Sequence, residues 1–188
     1  MPRSSSRRRA RGFALVATVS IAATLTPAAA AAPARAARPL ALALGLAIFN
    51  AGGNDAVPYL TVTGVHNRGP RWAVAVDLGY SDLHDRLWGP RLSVGVGGRA
   101  YLAATVSLYA RLAGLYYHEF DVHYPYSDAS QWASTSLGGE LGVGHELVTG
   151  RGLSWTVEAD ATLLSSVSER SGPSGASWRA GTAIGYRW

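Results

Sequence analysis

Arg71-Trp72-Ala73-Val74-Ala75-Val76-Asp77-Leu78-Gly79-Tyr80-Ser81 alternates without a break. Trp72, Val74, Val76, Leu78 and Tyr80 take every second position, with Arg71, Ala73, Ala75, Asp77, Gly79 and Ser81 between them. A strand sends successive side chains to opposite faces, so this period of two predicts a strand over 71–81 with one apolar face and one small or polar face.

Working outward, the same division recurs from Pro39 to the end. Residues 40–49 set Leu40, Leu42, Leu44, Leu46 and Ile48 against Ala41, Ala43, Gly45 and Ala47. Residues 91–102 set Leu92, Val94, Val96 and Leu102 against Ser93, Gly95, Gly97 and Arg99, and 106–118 set Val106, Leu108, Leu112 and Tyr116 against Ser107, Tyr109 and Arg111. Strands over 132–147, 153–164 and 176–188 follow the pattern. In 58–66 the apolar face is ambiguous, because Leu60 and Val62 compete with Tyr59 and Val65. The expectation is eight strands. Their connections alternate: 67–70, 103–105 and 148–152 are short, whereas 50–57, 82–90, 119–131 and 165–175 are longer and polar. That rhythm suits an antiparallel up-and-down barrel with tight turns at one end.

The front of the chain reads differently. Seven of the 17 basic residues (Arg3, Arg7, Arg8, Arg9, Arg11, Arg35, Arg38) precede Pro39 and no acid does, so 39–188 holds 10 Arg against 12 acids. The formal charge of +5 therefore belongs to the front of the chain and gives no reason to expect a nucleic-acid partner. An Arg-rich start, an apolar stretch from Gly12 to Leu25 and the small run Ala28 to Ala32 have the three parts of a cleavable secretory signal. About 14 apolar residues are too few for the ~20 of a membrane-spanning helix. The expectation is a signal peptide over 1–36, cut at about 30–37, followed by a barrel over 39–188. The chain has no cysteine, so no disulfide staples it.

Alternation alone does not say which face points inward, and a soluble ligand-carrying barrel is the rival. Such a barrel turns a densely charged face to water, but here the face opposite the apolar one is largely Gly, Ala and Ser. Small residues with a few charges suit the cramped interior of an eight-stranded barrel. Aromatics gather near strand ends, where membrane interfaces favour them: Trp72, Trp155, Tyr186 and Trp188 toward the short turns, and Tyr80, Tyr116, Trp132 and Trp178 toward the long connections. The fold expected is all-β, an eight-stranded antiparallel up-and-down transmembrane barrel.

The segments Leu108-Tyr109-Ala110-Arg111, Gly138-Gly139-Glu140-Leu141-Gly142-Val143-Gly144 and Ala183-Ile184-Gly185-Tyr186-Arg187-Trp188 resemble strands of the small outer-membrane β-barrel family that includes OmpX and the OmpA transmembrane domain. The last of them is similar to the family's terminal β-signal, carried here by Ile184, Tyr186 and Trp188, with Trp where that family usually ends in Phe. The resemblance implies a bacterial outer-membrane location, contact with outer-membrane lipid and lipopolysaccharide, insertion by the barrel-assembly machinery, and a monomer.

Inside such a barrel the expected charges are Asp77, Glu140, Glu146, Glu158 and Asp160 against Arg91, Arg99, Arg111, Arg179 and Arg187. Buried charges persist when paired, so the core network of Asp77, Arg99, Arg111, Glu140, Glu158, Asp160, Arg179 and Arg187 is expected to plug the lumen. The expected role is structural or surface-interacting. A narrow pore is one alternative, opened if Arg111 or Arg179 exchanged partners, and a lipid A-modifying enzyme is another. Acyl chemistry needs a His beside a nucleophile, and none of His66, His84, His118, His123 and His145 has a Ser two positions away on its strand, so no catalysis is expected. No cofactor is expected, and the group His118, Glu119, Asp121 and His123 reads as a polar loop rather than a metal site. The connection 119–131, with Phe120, Tyr124, Tyr126, Asp121 and Asp128, is the candidate surface for a partner.

Overall fold

The computed structural model describes residues 35–50, 56–82, 90–103, 107–122, 132–167 and 173–188. Eight strands run β1 (Leu40–Asn50), β2 (Val57–Asn67), β3 (Trp72–Ser81), β4 (Arg91–Tyr101), β5 (Leu108–Val122), β6 (Trp132–Val148), β7 (Leu153–Ser166) and β8 (Gly175–Arg187). Each pairs antiparallel with its chain neighbours, and β1 pairs with β8 from Ala41↔Arg187 to Asn50↔Trp178, which closes the barrel. Closure gives every strand two partners, so no edge is left with unpaired backbone.

The turns at one end are tight because their backbone can bend sharply. Gly152, between β6 and β7, has φ 94°, and a Cβ there would also run into the Arg187 carbonyl and the Arg38 guanidinium. Gly152 N–H donates to the Thr149 carbonyl at 3.0 Å and receives Arg187 N–H on its own carbonyl at 2.8 Å, which ties that turn to the end of β8.

Polarity is inverted relative to a water-soluble protein. In β1 Leu42, Leu44 and Leu46 are 50%, 60% and 64% exposed, while Ala41, Ala43 and Ala47 are buried. β3 alternates the same way along its whole length. The ambiguity in β2 resolves with Tyr59, Thr63 and Val65 inward and Leu60 outward, because the register Leu46↔Leu60 and Leu60↔Tyr80 places Leu60 beside outward neighbours. A continuous apolar belt of this kind far exceeds the few hundred Å² that soluble monomers expose.

Two departures from the sequence expectation matter. β5 begins at Leu108 and continues to Val122, so the residues from Glu119 onward start not as a loop but as strand. β6 has 17 residues against 11 in β1, so the β5–β6 pair stands above the rest of the rim at the long-connection end. Residues 123–131, with Tyr124, Tyr126 and Asp128, the side chain of Asp121, and residues 1–34, which hold most of the expected signal peptide 1–36, lie outside the described residues.

Candidate functional site in the lumen

Inward positions are odd in β1 to β5 and β8 and even in β6 and β7, and they stack into three layers. The central layer is ionic and is organised by Arg111, 1% exposed. Its Nη2 donates to Asp77 Oδ2 at 2.6 Å and lies 3.0 Å from Glu140 Oε2. Its Nη1 reaches Glu158 Oε1 at 2.8 Å and Asp160 Oδ2 at 3.3 Å. Arg179 approaches from β8 and shares the same acids, at 2.9 Å to Glu158 and to Asp160. Arg99 donates to Glu158 Oε2 at 3.2 Å, and Thr63 Oγ1 donates to Asp77 Oδ1 at 2.6 Å. Six strands, β3 to β8, thus bring four carboxylates onto three guanidiniums in a largely buried site, where such contacts are strong only because each charge meets another.

Toward the short turns a second layer forms around Glu146 and Arg187, which pair through Arg187 Nη2. Tyr101 donates to Glu146 Oε2 at 2.7 Å, and Tyr109 packs edge-on against Tyr101 while donating to Glu158 Oε2 at 2.7 Å. The Arg99 guanidinium lies 4.7 Å over the Tyr109 ring. Arg35, just ahead of β1, closes this mouth: its guanidinium sits 4.0 Å over the Tyr101 ring, and its carbonyl accepts from Asn67 Nδ2 at 3.2 Å. Burial lowers the Arg35 pKa from its ordinary value, with the electrostatic influence of Tyr101 and Glu146 working the other way.

Toward the long connections the third layer is aromatic. Phe49 meets Tyr59 and Tyr117 edge-on at 5.9 and 5.5 Å, with Ala47, Leu115 and Leu164 packed beside them. Above it Glu119 accepts from Tyr117 at 2.9 Å and from Ser134 at 3.1 Å, and lies 3.1 Å from Arg91 Nε.

The eight residues expected in the ionic network all point inward: seven meet in the central layer, and Arg187 meets Glu146 in the layer below. Glu119 was not among the expected lumen acids. The odd-position parity of β5, followed past Tyr117, would have found it. The aromatic plug was also missed, since Phe49, Tyr59 and Tyr117 sit at parity positions otherwise filled by small residues. Outside, Ile184, Tyr186 and Trp188 share the exposed face of β8, and Trp72, Tyr80 and Tyr116 are exposed on theirs. Trp155 donates from Nε1 to Thr182 Oγ1 at 2.7 Å, Trp178 is half-buried, and the side chain of Trp132 lies outside the described residues.

One pair corrects the search for a nucleophile and base along single strands. Ser107 Oγ lies 2.7 Å from His145 Nε2, across the β5–β6 pairing. Both are buried, and among the described residues no carboxylate hydrogen-bonds to the other ring nitrogen, so the triad geometry of acyl transfer is not assembled there. Of the histidines considered, His84 and His123 lie outside the described residues.

Beside the ionic layer the wall formed by β1 and β8 is thin. Ala41, Ala43, Ala47, Gly181 and Ala183 line a cavity there, with about 40 Å³ open to the centres of water molecules, facing Asp77, Glu158 and Arg179. It has room for a few waters among polar partners.

The closed order of eight antiparallel strands coincides with known architecture. The chain is similar to Neisserial surface protein A, with a TM-score of 0.53 and 12% identity, covering 79% of this chain and 96% of that one. The fold is that of the small eight-stranded outer-membrane β-barrels. The chain is also similar to the N-terminal beta-barrel domain of Pseudomonas aeruginosa OprF (TM-score 0.48, 13% identity, 79% of this chain and 97% of that one) and to Ail, the attachment invasion locus protein of Yersinia pestis (0.49, 12%, 79% and 96%). No family model and no curated protein matches the chain. At such identities the outer-membrane barrel fold is what is shared, and residue roles rest on this chain's own geometry.

Proposed function

We propose that the chain is an integral outer-membrane protein that serves the envelope as a closed, structurally stabilised barrel presenting its long-connection end at the surface. The observation that carries this reading is the inversion of polarity: leucines at half or more exposure outside, ion pairs at near-zero exposure inside. Water would make that arrangement unstable, because each exposed Leu or Val forgoes roughly 1.5–3 kcal/mol of burial, and lipid removes the penalty. The height of β5 and β6 favours a surface role, because β5 runs on to Val122 beyond its last partner in β4, at Glu119, and β6 starts at Trp132 ahead of its first partner in β7, at Ser136, which lifts the pair roughly 10 Å past its neighbours. Ile184, Tyr186 and Trp188 share the outward face at the end of the chain, and in this reading that face is the signal taken up by the assembly machinery before the barrel closes.

Electrophoresis of the membrane fraction with and without boiling tests the reading: the unboiled protein is expected to migrate apart from the unfolded chain. Recovery of the protein in the soluble periplasm, with no heat-dependent shift, would count against it. A narrow pore is the second reading, favoured by the cavity along β1 and β8. Steady ion conductance of the purified wild-type protein in planar bilayers would raise it above the first.

A further inference from the structure

Every Arg, Asp and Glu from Arg38 onward falls into one of three places. Five arginines (Arg91, Arg99, Arg111, Arg179, Arg187) and six acids (Asp77, Glu119, Glu140, Glu146, Glu158, Asp160) are turned into the barrel. The six remaining acids (Asp55, Asp82, Asp85, Asp121, Asp128, Glu169) all belong to the sequence at the long-connection end, with only Arg86 and Arg170 beside them. The short-turn end has no acidic side chain. It carries Arg68 and Arg71 between β2 and β3, Arg151 between β6 and β7, and Arg38 ahead of β1.

Three of these four arginines are presented rather than consumed. Arg68, Arg71 and Arg151 are exposed, and among the described residues none of the three is held by a carboxylate. Their backbones are fixed: Arg68 N–H donates to the Trp72 carbonyl at 2.8 Å, Tyr101 N–H donates to the Arg71 carbonyl at 2.8 Å, and Arg38 Nη1 holds the Gly150 carbonyl at 2.8 Å beside Arg151. Around the closed sheet they form an arc from β6 through β8 and β1 to β3, while the β4–β5 connection carries no charge. Their depth is set by their neighbours. Trp72 follows Arg71 directly and is 64% exposed, and Tyr186, Trp188 and Leu153 lie outward at the same end. Aromatics of this kind mark the boundary between acyl chains and headgroups, so guanidiniums one or two residues farther out stand at the level of lipid phosphates.

We propose that this arc is a binding rim for anionic phospholipid, with the exposed guanidiniums of Arg68, Arg71 and Arg151 engaging phosphodiester groups of the leaflet that faces the short turns. The inference rests on reading the chain as a membrane-spanning barrel. The rim gathers anionic lipid at the short-turn end, and so biases the direction in which the barrel sits.

The test uses the protein purified from membranes and reconstituted in mixed phosphatidylcholine and phosphatidylglycerol vesicles. One lipid at a time is brominated on its acyl chains at equal mole fraction, and quenching of tryptophan fluorescence reads which lipid lies against the barrel. Brominated phosphatidylglycerol is expected to quench roughly twofold more strongly than brominated phosphatidylcholine at low salt, with the preference shrinking as sodium chloride rises. The triple variant R68Q/R71Q/R151Q is expected to lose the preference and keep the heat-dependent gel shift, and R68K/R71K/R151K to retain most of it. Equal quenching by both lipids in the wild type, or a preference that survives in the glutamine variant, overturns the rim. Absence of quenching by either lipid together with loss of the gel shift overturns the membrane barrel itself, and the rim with it.

Discussion

Arg111 has the most to lose among the lumen residues, because Asp77, Glu140, Glu158 and Asp160 all lie within ion-pair distance of it. Arg111→Met keeps bulk and removes the charge, leaving Arg179 and Arg99 to face four acids. The barrel is expected to lose about 3–5 kcal/mol, as when one partner of a buried pair is deleted, read as a lower urea midpoint for the gel-shifted form in detergent micelles. A midpoint within experimental error of wild type would show that the network rearranges at no cost. Glycines give a second contrast. A Cβ on Gly144 would collide with the Tyr109 ring, whereas on Gly114 it would meet nothing closer than the Val96 carbonyl at 4.0 Å. Gly144→Ala is therefore expected to cost about 1–3 kcal/mol through displaced Tyr109, and Gly114→Ala to stay within about 0.5 kcal/mol of wild type in the same assay.

Strand parity made most of the fold legible, because the outward face of β1, β3 and β8 is apolar at nearly every step and a one-residue slip would turn it inward. Parity failed where two tendencies met. In β2 both faces hold apolar side chains, and only pairing with β1 and β3 decides between them. At the end of β5 the polar run from His118 to Asp121 has the composition of a loop, yet hydrogen bonding to β6 carries the strand on, and Glu119 finds Arg91 across the β4–β5 pairing. Sequence spacing within one strand also could not show Ser107 against His145, a contact made only by register. The outward face supplies its own test of depth. Leu44 sits mid-strand opposite Val62 and Ile184, while Leu60 lies opposite Tyr80 nearer the long connections. Leu44→Arg is expected to destabilise the barrel in vesicles by about 2–4 kcal/mol and Leu60→Arg by about 0–1 kcal/mol, measured by reversible denaturant unfolding. Equal costs would contradict the assigned depth. Ahead of β1, burial of Arg35 over Tyr101 favours a mature chain that keeps this residue. N-terminal sequencing of the exported protein is expected to begin at or before Arg35, and a start at Arg38 would mean that the short-turn mouth is left without its cation.

Across the whole molecule the three layers act in series, so the widest of them cannot conduct until the narrowest opens. The cavity already runs along the inner wall of β1 from Ala41 to Ala47, past the ionic layer and down to Glu146, because β1 and β8 contribute mainly Ala and Gly to that wall. What stops it toward the long connections is Phe49 against Tyr59 and Tyr117, with Leu115 and Leu164 behind. These aromatics occupy their volume without charge, and their removal is expected to leave the ion pairs of the central layer in place. In an Arg35→Ala background, which opens the short-turn mouth, Phe49→Ala combined with Tyr117→Ala should therefore join the cavity to the long-connection end and give discrete conductance steps in planar bilayers where Arg35→Ala alone gives none, at a stability cost of several kcal/mol from the lost aromatic packing. Arg111→Met with the aromatic layer intact should stay silent, since it loosens a layer the cavity already bypasses. Steps from Arg111→Met and silence from the aromatic double variant would move the seal from the rings to the ion pairs.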